Sequence, residues 1–488
     1  MDAPALPRRV PPAPRPDHRA HDFCRVPAGA LVRLRAVGLT ALALVLAACA
    51  PMPSADVAER RASFAEPLPP MQNFRAVRAT PSVRTNRQLA GDFLALTFEL
   101  ESGREVPRFT RFEGEIPIEL RGAAAPSVRR DLDRLIGRLQ REANVPVRAA
   151  RPGETAKIVV EVLPRRTLQR AVPQAACFVV PRVRGWDEFR AARRTDTVDW
   201  TTLESREVAS VFLPGDVSPQ EARDCLHEEI AQALGPLNDL YRLPDSVFND
   251  DNFHTVLTGF DMLMLRVTYD PALANGMGQP QVAAILPSIL DRLNPAGARK
   301  GPPPSPPTPH IWSEAIEDAL GPRGAPAYRR AQAARAVDLA REAGWHDTRM
   351  AFSLYAYGRL TLADQPEKAL TAFLESYEIY RSLPDAQIQA AHVAMQIAAF
   401  TLSAGQAQAT LELIDESLPA VRAAENAALL STLLMMRAEA LDLLGRVAEA
   451  RGLRQEALGW ARYGFGSDRL VRERAAEIAA LAPAPPRL

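Results

Sequence analysis

A proline-dense segment in the second half of the chain separates two stretches of sequence that follow different patterns. The segment AGARKGPPPSPPTPH, residues 296–310, holds six prolines in 15 positions. Because proline fixes its own φ angle and lacks a backbone N–H, neither a helix nor the interior of a sheet continues through such a run. We therefore predict a semi-rigid linker over residues 291–310, with one domain before it and another after it.

The part before the linker, residues 86–290, contains both strand and helix patterns. Its first clear strand, in TRFEGEIPIELRG, shows the alternation expected of a half-buried strand. The segment PSVRRDLDRLIGRLQREAN follows, with apolar residues at helical spacing and Ser127 placed to cap the helix. The apolar positions of these two elements are Ile116, Ile118 and Leu120 in the strand and Val128, Leu132, Leu135, Ile136 and Leu139 in the helix.

Three further strand candidates and a second helix complete this part of the chain. The strand candidates are AKIVVEVL, ACFVV and VASVFLPGD. The helix begins in SPQEARDCLHEEI, where Ser218 or Asp216 can act as the cap and Pro219 suits the first turn. The order strand–helix–strand–strand–strand–helix predicts an α+β domain with a mixed sheet.

After the linker, residues 311–482 are helical in pattern. Three segments place a turn before an amphipathic helix, and Asp364, Gly405 and Gly445 occupy equivalent turn positions, 41 and 40 residues apart. This period is longer than the tetratricopeptide period of about 34 residues. The pattern resembles a tetratricopeptide-like repeat with lengthened helices, and a plain helical bundle is the alternative. Small residues that allow close helix approach recur at Ala369, Ala438 and Ala450.

The beginning of the chain carries a targeting pattern. Arg33 and Arg35 precede the apolar run AVGLTALALVLAA, which ends directly before Cys49. This is the pattern of a signal peptide, and the run is shorter than the about 20 residues that a membrane span needs. The tetrapeptide LAAC resembles the lipobox of bacterial lipoproteins, which implies that Cys49 is lipidated. An ordinary cleaved signal peptide is the alternative.

These features predict a leader and lipoprotein signal peptide over residues 1–48 and a Pro/Ala/Arg-rich tether over residues 49–85. Ala50, in place of Asp, resembles the sequence of lipoproteins sorted to the outer membrane. We therefore expect a lipid-anchored protein on the periplasmic face of a bacterial cell envelope. With a net charge of +1, we expect no nucleic-acid partner, and membrane contact through the lipid anchor only.

The cysteine count agrees with export. Cys24 lies in the leader and Cys49 is assigned to the lipid, which leaves Cys177 and Cys225 as an even pair in an oxidising compartment. We predict a disulfide between these two residues. Two buried free thiols are the alternative.

The stretch CLHEEIAQALGPLND, residues 225–239, is similar to the metal-binding helix of zinc peptidases. The motif H-E-x-x-H read from His227 fails, because position 231 is alanine and Gln232 is rotated about 100° around the helix. Read one residue later, the frame H-E-x-x-H-x-x-G-x-x-H of metzincins fits, with Gly235 at the turn. Its ligand positions hold Glu228, Gln232 and Asn238, and its general-base position holds Glu229.

This set of residues is poorly suited to catalytic zinc, because amide oxygens are weak zinc ligands. A Glu/Gln/Asn set suits a harder divalent cation, if any metal binds. His227 and His254 are the only histidines between Cys49 and Lys300, so a three-histidine site is impossible there. The alternative is that the polar positions form the solvated face of an ordinary helix.

An acidic loop, PDSVFNDDNFHTV, follows this helix and contains His254. Its oxygen-bearing side chains could complete a cation site, but the loop lacks the spacing of an EF-hand. We favour a solvated turn. The sequence also lacks a G-x-S-x-G elbow, a P-loop and a dinucleotide glycine fingerprint, which gives hydrolase, NTPase and oxidoreductase functions no support.

The stretch from Cys225 to Met277 resembles a bacterial family known as domain of unknown function 2927. The resemblance covers about residues 86–290 and rests on Cys225, Glu229, Gln232, Gly235, Asn238, Asp239, Ser246, Phe248, Asp261 and Tyr269. The family is similar to the zincin metallopeptidases, which implies a mixed sheet over a zincin-type helix followed by an irregular segment. Met262 or Met264 would then occupy the methionine turn of zincins, although a place in the hydrophobic core is the simpler role.

The sequence thus predicts an α+β zincin-like domain followed by an all-α helical-repeat domain. The leading functional hypothesis is an exported lipoprotein that is non-catalytic or weakly catalytic. It would bind a protein or peptide partner through the repeats and act in envelope scaffolding or assembly. The alternative is an unconventional metal-dependent peptidase that uses Glu228, Gln232 and His227 or His254 as ligands and Glu229 as general base. No cofactor other than a possible divalent metal ion is expected.

Overall fold

A computed structural model describes residues 67–74, 80–173, 175–301 and 303–483. Cys24, the apolar run and Cys49 lie outside the described residues, so the signal peptide and the lipidation site remain predictions. Among the helices in the described part of the chain, none is both long enough and apolar enough to cross a membrane.

The first region is built on one five-stranded mixed sheet. The strand order is β2-β1-β3-β5-β4, with β4 antiparallel to β5 and all other neighbours parallel. The strands are β1 (Ile116–Gly122), β2 (Val147–Ala149), β3 (Ile158–Leu163), β4 (Phe178–Pro181) and β5 (Ala209–Pro214). Ile118 pairs with Ile158, and Val211 lies between Val160 and Val179. The antiparallel β4 makes the sheet mixed and forms one of its edges.

The described residues of this region also form seven α-helices. They are α1 (Asn86–Phe98), α2 (Pro126–Ala143), α3 (Arg165–Ala171), α4 (Trp186–Ala192), α5 (Pro219–Leu234), α6 (Gly259–Thr268) and α7 (Gln279–Leu293). The main core lies between one face of the sheet and helices that include α2, α5 and α6. An aromatic cluster, formed by Phe178, Trp186, Phe189 and Phe212, covers the other face beside β4.

The predicted strands and the two predicted helices of this region are confirmed. The five apolar positions predicted for α2 are all buried, because they recur on the side of the helix that faces the sheet. Ser218 caps α5 as predicted, since its Oγ accepts from the backbone N–H of Glu221 at 3.1 Å. The predicted cap at Ser127 is wrong. The chain enters α2 at Ala125 and Pro126, so Ser127 lies inside the first turn.

The second region is entirely helical in the described residues. It consists of α8 (His310–Leu320), α9 (Pro326–Glu342), α10 (Thr348–Thr361), α11 (Pro366–Ser382), α12 (Gln387–Ser403), α13 (Ala407–Ala423), α14 (Ala427–Leu443), α15 (Val447–Phe465) and α16 (Asp468–Ala479). Each helix packs against the next. The predicted turns at Asp364, Gly405 and Gly445 fall between α10 and α11, α12 and α13, and α14 and α15, and the two glycines have positive φ angles.

The two regions share a packed junction. Phe74, Tyr241 and Phe253 precede the linker in sequence but lie within the apolar core of the helical region. Phe74 packs on Trp460 with ring centroids 4.4 Å apart, and Tyr241 meets Trp312 edge-on at 5.1 Å. The helical region is therefore completed by side chains from the first region.

The proline-dense linker and the predicted tether are held at this junction. Arg349 in α10 is buried and donates to the backbone oxygen of Pro306 at 3.4 Å. In the segment that precedes α1, the backbone oxygen of Val83 accepts from Arg299 at 2.6 Å. The described residues of both segments thus contact the folded regions that they connect.

Candidate functional site

Helix α5 occupies the position that the sequence predicts for a metal-binding helix. Its apolar residues, among them Leu226, Ile230 and Leu234, are fully buried in the core below the sheet. The helix stops at Gly235, where an added Cβ would lie 3.0 Å from the hydroxyl of Thr268 in α6. A side chain here would press on Thr268, so the glycine of the frame favours close packing of α5 on α6.

A buried arginine holds the C-terminal end of α5. Arg206 donates to the backbone oxygens of Gln232 and Ala233 at 2.7 Å and of Gly235 at 2.6 Å. A cation at a helix C-terminus satisfies carbonyl groups that have no partner within the helix and complements the helix dipole. Burial lowers the pKa of Arg206 to about 10, and its guanidinium also lies over the Trp200 ring. No sequence pattern around Arg206 indicates this role.

The amides at two ligand positions of the metzincin frame are used for folding contacts. Gln232 donates from Nε2 to Oδ2 of Asp239 at 3.1 Å, which closes the turn after α5. Asn238 donates from Nδ2 to the backbone oxygen of Ala95 in α1 at 3.0 Å. Both side chains are buried, with 4% of their surface exposed.

The two charged positions of the frame differ in burial. Glu229, at the general-base position, is 0% exposed. Glu228, at the first ligand position, is half-buried. A catalytic zinc site needs a ligand position that stays open to water or substrate. A general base must also contact the water that it activates, and solvent does not reach Glu229.

The two histidines of the region face backbone groups. His227 accepts the backbone N–H of Leu257 through Nδ1 at 3.1 Å, and burial lowers its pKa well below the usual value. His254 donates from Nε2 to the backbone oxygen of Pro244 at 2.8 Å, and burial lowers its pKa to about 4. Both imidazoles are therefore neutral at pH 7 and serve to hold the segment that follows α5.

These residues do not fit a catalytic zinc ion. Two of the proposed ligands are amides with partners of their own, and both histidines are bonded to the backbone. In the described part of the chain, no group of three or more His, Cys, Asp or Glu side chains is placed to hold a metal ion. The carboxylate of Asp239, which lies outside the frame, accepts from the amide of Gln232 within it.

The acidic loop is not the solvated turn that the sequence favoured. Asn249 and Asp251 are buried, and Asp251 accepts from the side chain of Asn249 at 3.0 Å and from Gln389 in α12 at 3.4 Å. Burial raises the pKa of Asp251 to about 7. Asp245 is half-buried and forms an ion pair with Arg84, which also binds Asp92. The acidic residues thus serve the junction with the helical region and the N-terminal segment.

The predicted disulfide between Cys177 and Cys225 is confirmed. Cys177 directly precedes β4, the edge strand, and Cys225 lies in the middle of α5. The bond therefore ties the edge of the sheet to the helix beneath it. Met262 and Met264 are both buried in the main core, as expected of residues of the hydrophobic core.

Another face of α5 binds the helical region. Arg223 donates to the backbone oxygen of Glu425 at 2.6 Å and to the hydroxyl of Thr255 at 3.2 Å. Its guanidinium lies 5.2 Å from the centre of the Tyr463 ring in α15. Gln220 accepts the backbone N–H of Ala428 at the start of α14 at 2.9 Å. Helix α5 is thus the element through which much of the junction is made.

Together the fold and this helix define an α/β domain with a mixed sheet, joined to an all-helical region. Residues 86–288 match the model of a family described as "Protein of unknown function (DUF2927)". The matched range lies within the predicted domain of residues 86–290. The comparisons with curated proteins and with solved structures find no match.

The residues that carry the resemblance to this family make structural contacts. Ser246 donates to Asp261 at 2.6 Å, and the hydroxyl of Tyr269 donates to the backbone oxygen of Leu234 at 3.1 Å. Phe248 is in the core, and Cys225, Gln232, Gly235, Asn238 and Asp239 have the roles described above. The motif thus corresponds to one structural unit, formed by α5, the turn that follows it and α6.

Proposed function

We propose that the protein is an exported, lipid-anchored protein of the bacterial cell envelope whose zincin-like domain is non-catalytic. In this proposal the domain serves as a rigid base for a tetratricopeptide-like helical region, which binds a protein or peptide partner. The role would be scaffolding or assembly in the envelope. The lipid at Cys49 would be its only attachment to the membrane.

The observation that carries the non-catalytic assignment is the closed state of the metzincin frame. Glu229 is fully buried, and Gln232 and Asn238 use their amides to secure the turn and α1. Unpaired buried amides are costly, so these hydrogen bonds account for polar residues at these positions without a metal. The zincin-like assignment is supported by the mixed sheet, by the helix beneath it and by the glycine turn that ends this helix.

The scaffold role is supported by the way in which the two regions are joined. Polar contacts such as that of Arg223 with Glu425 lie beside aromatic contacts such as that of Tyr241 with Trp312. Both kinds of contact are buried. A helical array fixed to a second domain presents its surfaces in one defined orientation, which suits the assembly of several partners.

The metal content and peptidase activity of the purified protein test the non-catalytic assignment. We expect less than stoichiometric zinc, and peptide hydrolysis at the level of the buffer for both the native protein and the Glu229→Gln variant. Stoichiometric zinc, together with hydrolysis that a chelator removes and the variant lacks, would contradict the proposal. Because Glu229→Gln changes one oxygen to an amide, folding of the variant is confirmed first by circular dichroism.

A metal-dependent peptidase is the second candidate, and it is favoured by the position of the Asp239 carboxylate. Its Oδ2 accepts from Gln232, and its Oδ1 is buried without a hydrogen bond in the described residues. A carboxylate at this place would add a ligand for a hard cation beside Glu228 and Gln232. If metal co-purifies with the protein, its loss in Asp239→Asn would assign it to this frame, and retention would place it elsewhere.

The lipid anchor has its own test, which does not depend on the folded regions. Expression in a bacterial host with radiolabelled palmitate should label the native protein, whereas the Cys49→Ser variant should remain unlabelled. Equal labelling of both proteins, or of neither, would contradict lipidation at Cys49.

A further inference from the structure

A short finger of the α/β region enters the helical region. The finger, residues 249–255, lies between Phe248 and Leu257, which belong to the core of the α/β region. In the middle of the finger Phe253 points away from that core and is part of the core of the helical region. Asn252 at the tip is exposed and has a positive φ of 57°, so the chain reverses direction there.

Phe253 fills a site lined by aromatic rings of three successive helices. Its ring centroid lies 5.9 Å from Phe352 and 5.4 Å from Tyr355, both in α10. It lies 6.3 Å from Tyr380 in α11 and 4.7 Å from His392 in α12. These separations are within the range in which aromatic pairs attract beyond simple burial. Phe253 is the apolar anchor of the finger.

The carboxylate of Asp251, two residues earlier, meets a buried amide of the helical region. Gln389 in α12 is 0% exposed and donates from Nε2 to the backbone oxygen of Pro244 at 2.6 Å and to Asp251 at 3.4 Å. The other oxygen of Asp251 accepts the backbone N–H of Phe253 at 3.1 Å, which fixes the spacing between acid and ring. A buried glutamine on a packing face is costly unless it has partners, so this side chain fits a polar ligand.

The face that holds the finger is formed mainly by alternate helices of the helical region. Helices α10, α12 and α14 are the first helices of their hairpins, and α10 and α12 supply most of the contacts with the finger. Such faces take extended segments by means of an aromatic anchor and a few placed polar groups. The finger meets each requirement with one residue. Phe253 is the aromatic anchor, and Asp251 supplies the polar group.

We propose that this face is the partner-binding surface and that the finger is its resident occupant. The partner it fits is a protein segment with an acidic residue two positions before an aromatic residue, which replaces Asp251 and Phe253 on the same contacts. This inference rests on the proposed role of the helical region in binding a partner. It adds the location of the site, the chemistry of the partner and a contact that keeps the site closed.

Several polar contacts of the junction lie outside the finger and would remain after it leaves. Arg223 binds the backbone oxygen of Glu425, Gln220 binds the start of α14, and Tyr463 donates to Asp131 at 2.6 Å. The finger itself adds the aromatic anchor of Phe253, the hydrogen bond between Gln389 and Asp251, and the hydrogen bond from Arg223 to Thr255. A further bond runs from Thr255 to the backbone oxygen of Ala424 at 3.2 Å.

A labelled peptide with the sequence of residues 244–257, PDSVFNDDNFHTVL, tests the proposal by fluorescence anisotropy. We expect the full-length Phe253→Ala variant, whose finger has lost its anchor, to bind the peptide at least about tenfold more tightly than the native protein does. A control peptide that carries Phe253→Ala should bind the variant about tenfold more weakly. Equal binding to the two proteins, or equal binding of the two peptides, would overturn the proposal.

Hydrogen exchange of the native protein gives a second test that needs no folded variant. Excess peptide should accelerate exchange of the backbone amides of residues 251 and 253, since it competes for the face and releases the finger. The peptide with Phe253→Ala should have no effect. If these amides exchange as slowly as those of α12 and the peptide changes nothing, the finger is part of the permanent core and the proposal is wrong. Such a failure leaves the metal and lipid tests of the proposed function unaffected.

Discussion

The two ends of helix α5 use polar residues in different ways. At its C-terminal end Gln232, Asn238 and Arg206 form hydrogen bonds with groups of the α/β region itself. At its N-terminal end Arg223 binds Glu425, a residue 202 positions away in the helical region. The first set secures a turn, whereas the second set joins two regions of the molecule.

This difference shows why a motif with metal-site spacing need not hold a metal. The spacing of a zincin helix places polar groups where a helix ends, a glycine turn begins and the chain reverses. The same positions need hydrogen-bond partners for backbone and side chains in any protein with this local fold. Here those needs account for the amides, while contact with a distant region accounts for Arg223 at the other end.

The largest effect on the comparison should come from Arg206. In Arg206→Ala, three buried carbonyl groups lose a charged donor, and we expect a loss of roughly 3–5 kcal/mol in the free energy of unfolding. The measurement is equilibrium denaturation in urea. Arg108→Ala is the matched control, because Arg108 is 50% exposed and pairs with the exposed Glu204. Its change should stay within about 0.5 kcal/mol, and similar losses in both variants would contradict the capping role.

Removal of the disulfide should have a comparable but slightly smaller effect. Cys177 and Cys225 are 48 positions apart, and a loop of this length corresponds to a stabilisation of about 4 kcal/mol, within the range of about 2–5 kcal/mol typical of native disulfides. The double variant with alanine at both positions should lower the urea midpoint. Reducing agent should lower the midpoint of the native protein and leave that of the variant unchanged. An unchanged midpoint in the native protein would show that the bond contributes nothing.

The junction should show a pH dependence that comes from Asp251. Its pKa in the folded protein is raised to about 7 by burial, so the folded state holds a proton that the unfolded state has released. Between about pH 4 and pH 7 stability from this group is therefore lost as the pH rises. His254 has the opposite sign, because its pKa is lowered to about 4 and its contribution is lost as the pH falls.

Comparison of Asp251→Asn with the native protein isolates the carboxylate, since His254 and His392 are present in both. The free energy of unfolding of the native protein should fall relative to that of the variant between pH 4 and pH 7. Above pH 7 the difference should be constant. A difference that does not vary with pH would show that Asp251 is ionised throughout.

The smallest effect should come from Gln220, whose side chain forms neutral hydrogen bonds at the junction with Ala428 and Asn426. Gln220 accepts the backbone N–H of Ala428, and we expect Gln220→Ala to lower the free energy of unfolding by about 1 kcal/mol. Gln408→Ala is the control, because Gln408 is exposed on α13 and its change should be near zero. Equal effects would mean that the contact at the junction adds no stability.

Local patterns in the sequence predicted much of the α/β region. Alternation identified β1, and helical spacing with Ser218 and Pro219 identified α2 and α5. Thr85 and Gln88 form a capping box, and this pair in the sequence indicates the start of α1. The short strand β2 and helices α3 and α4 were missed because three to seven residues are too few to show a period.

Contacts between distant residues could not be predicted in the same way. Nothing in the sequence around Arg206 indicates that it meets the end of α5, and nothing around Asp251 indicates Gln389. The polar residues of the acidic loop predict a solvated turn, yet the helical region covers Asp251. Burial of a polar loop depends on a partner surface more than 100 positions away, as for Asp251 and Gln389, which are 138 positions apart.

A calorimetric titration of zinc into the metal-free protein tests most directly whether helix α5 has a structural or a catalytic role. The closed frame predicts no saturable one-to-one binding, and titration curves that are the same for the native protein and for the Gln232→Ala and Asp239→Asn variants. Saturable binding of one zinc ion per chain that either variant abolishes would contradict this result and would make the frame a metal site.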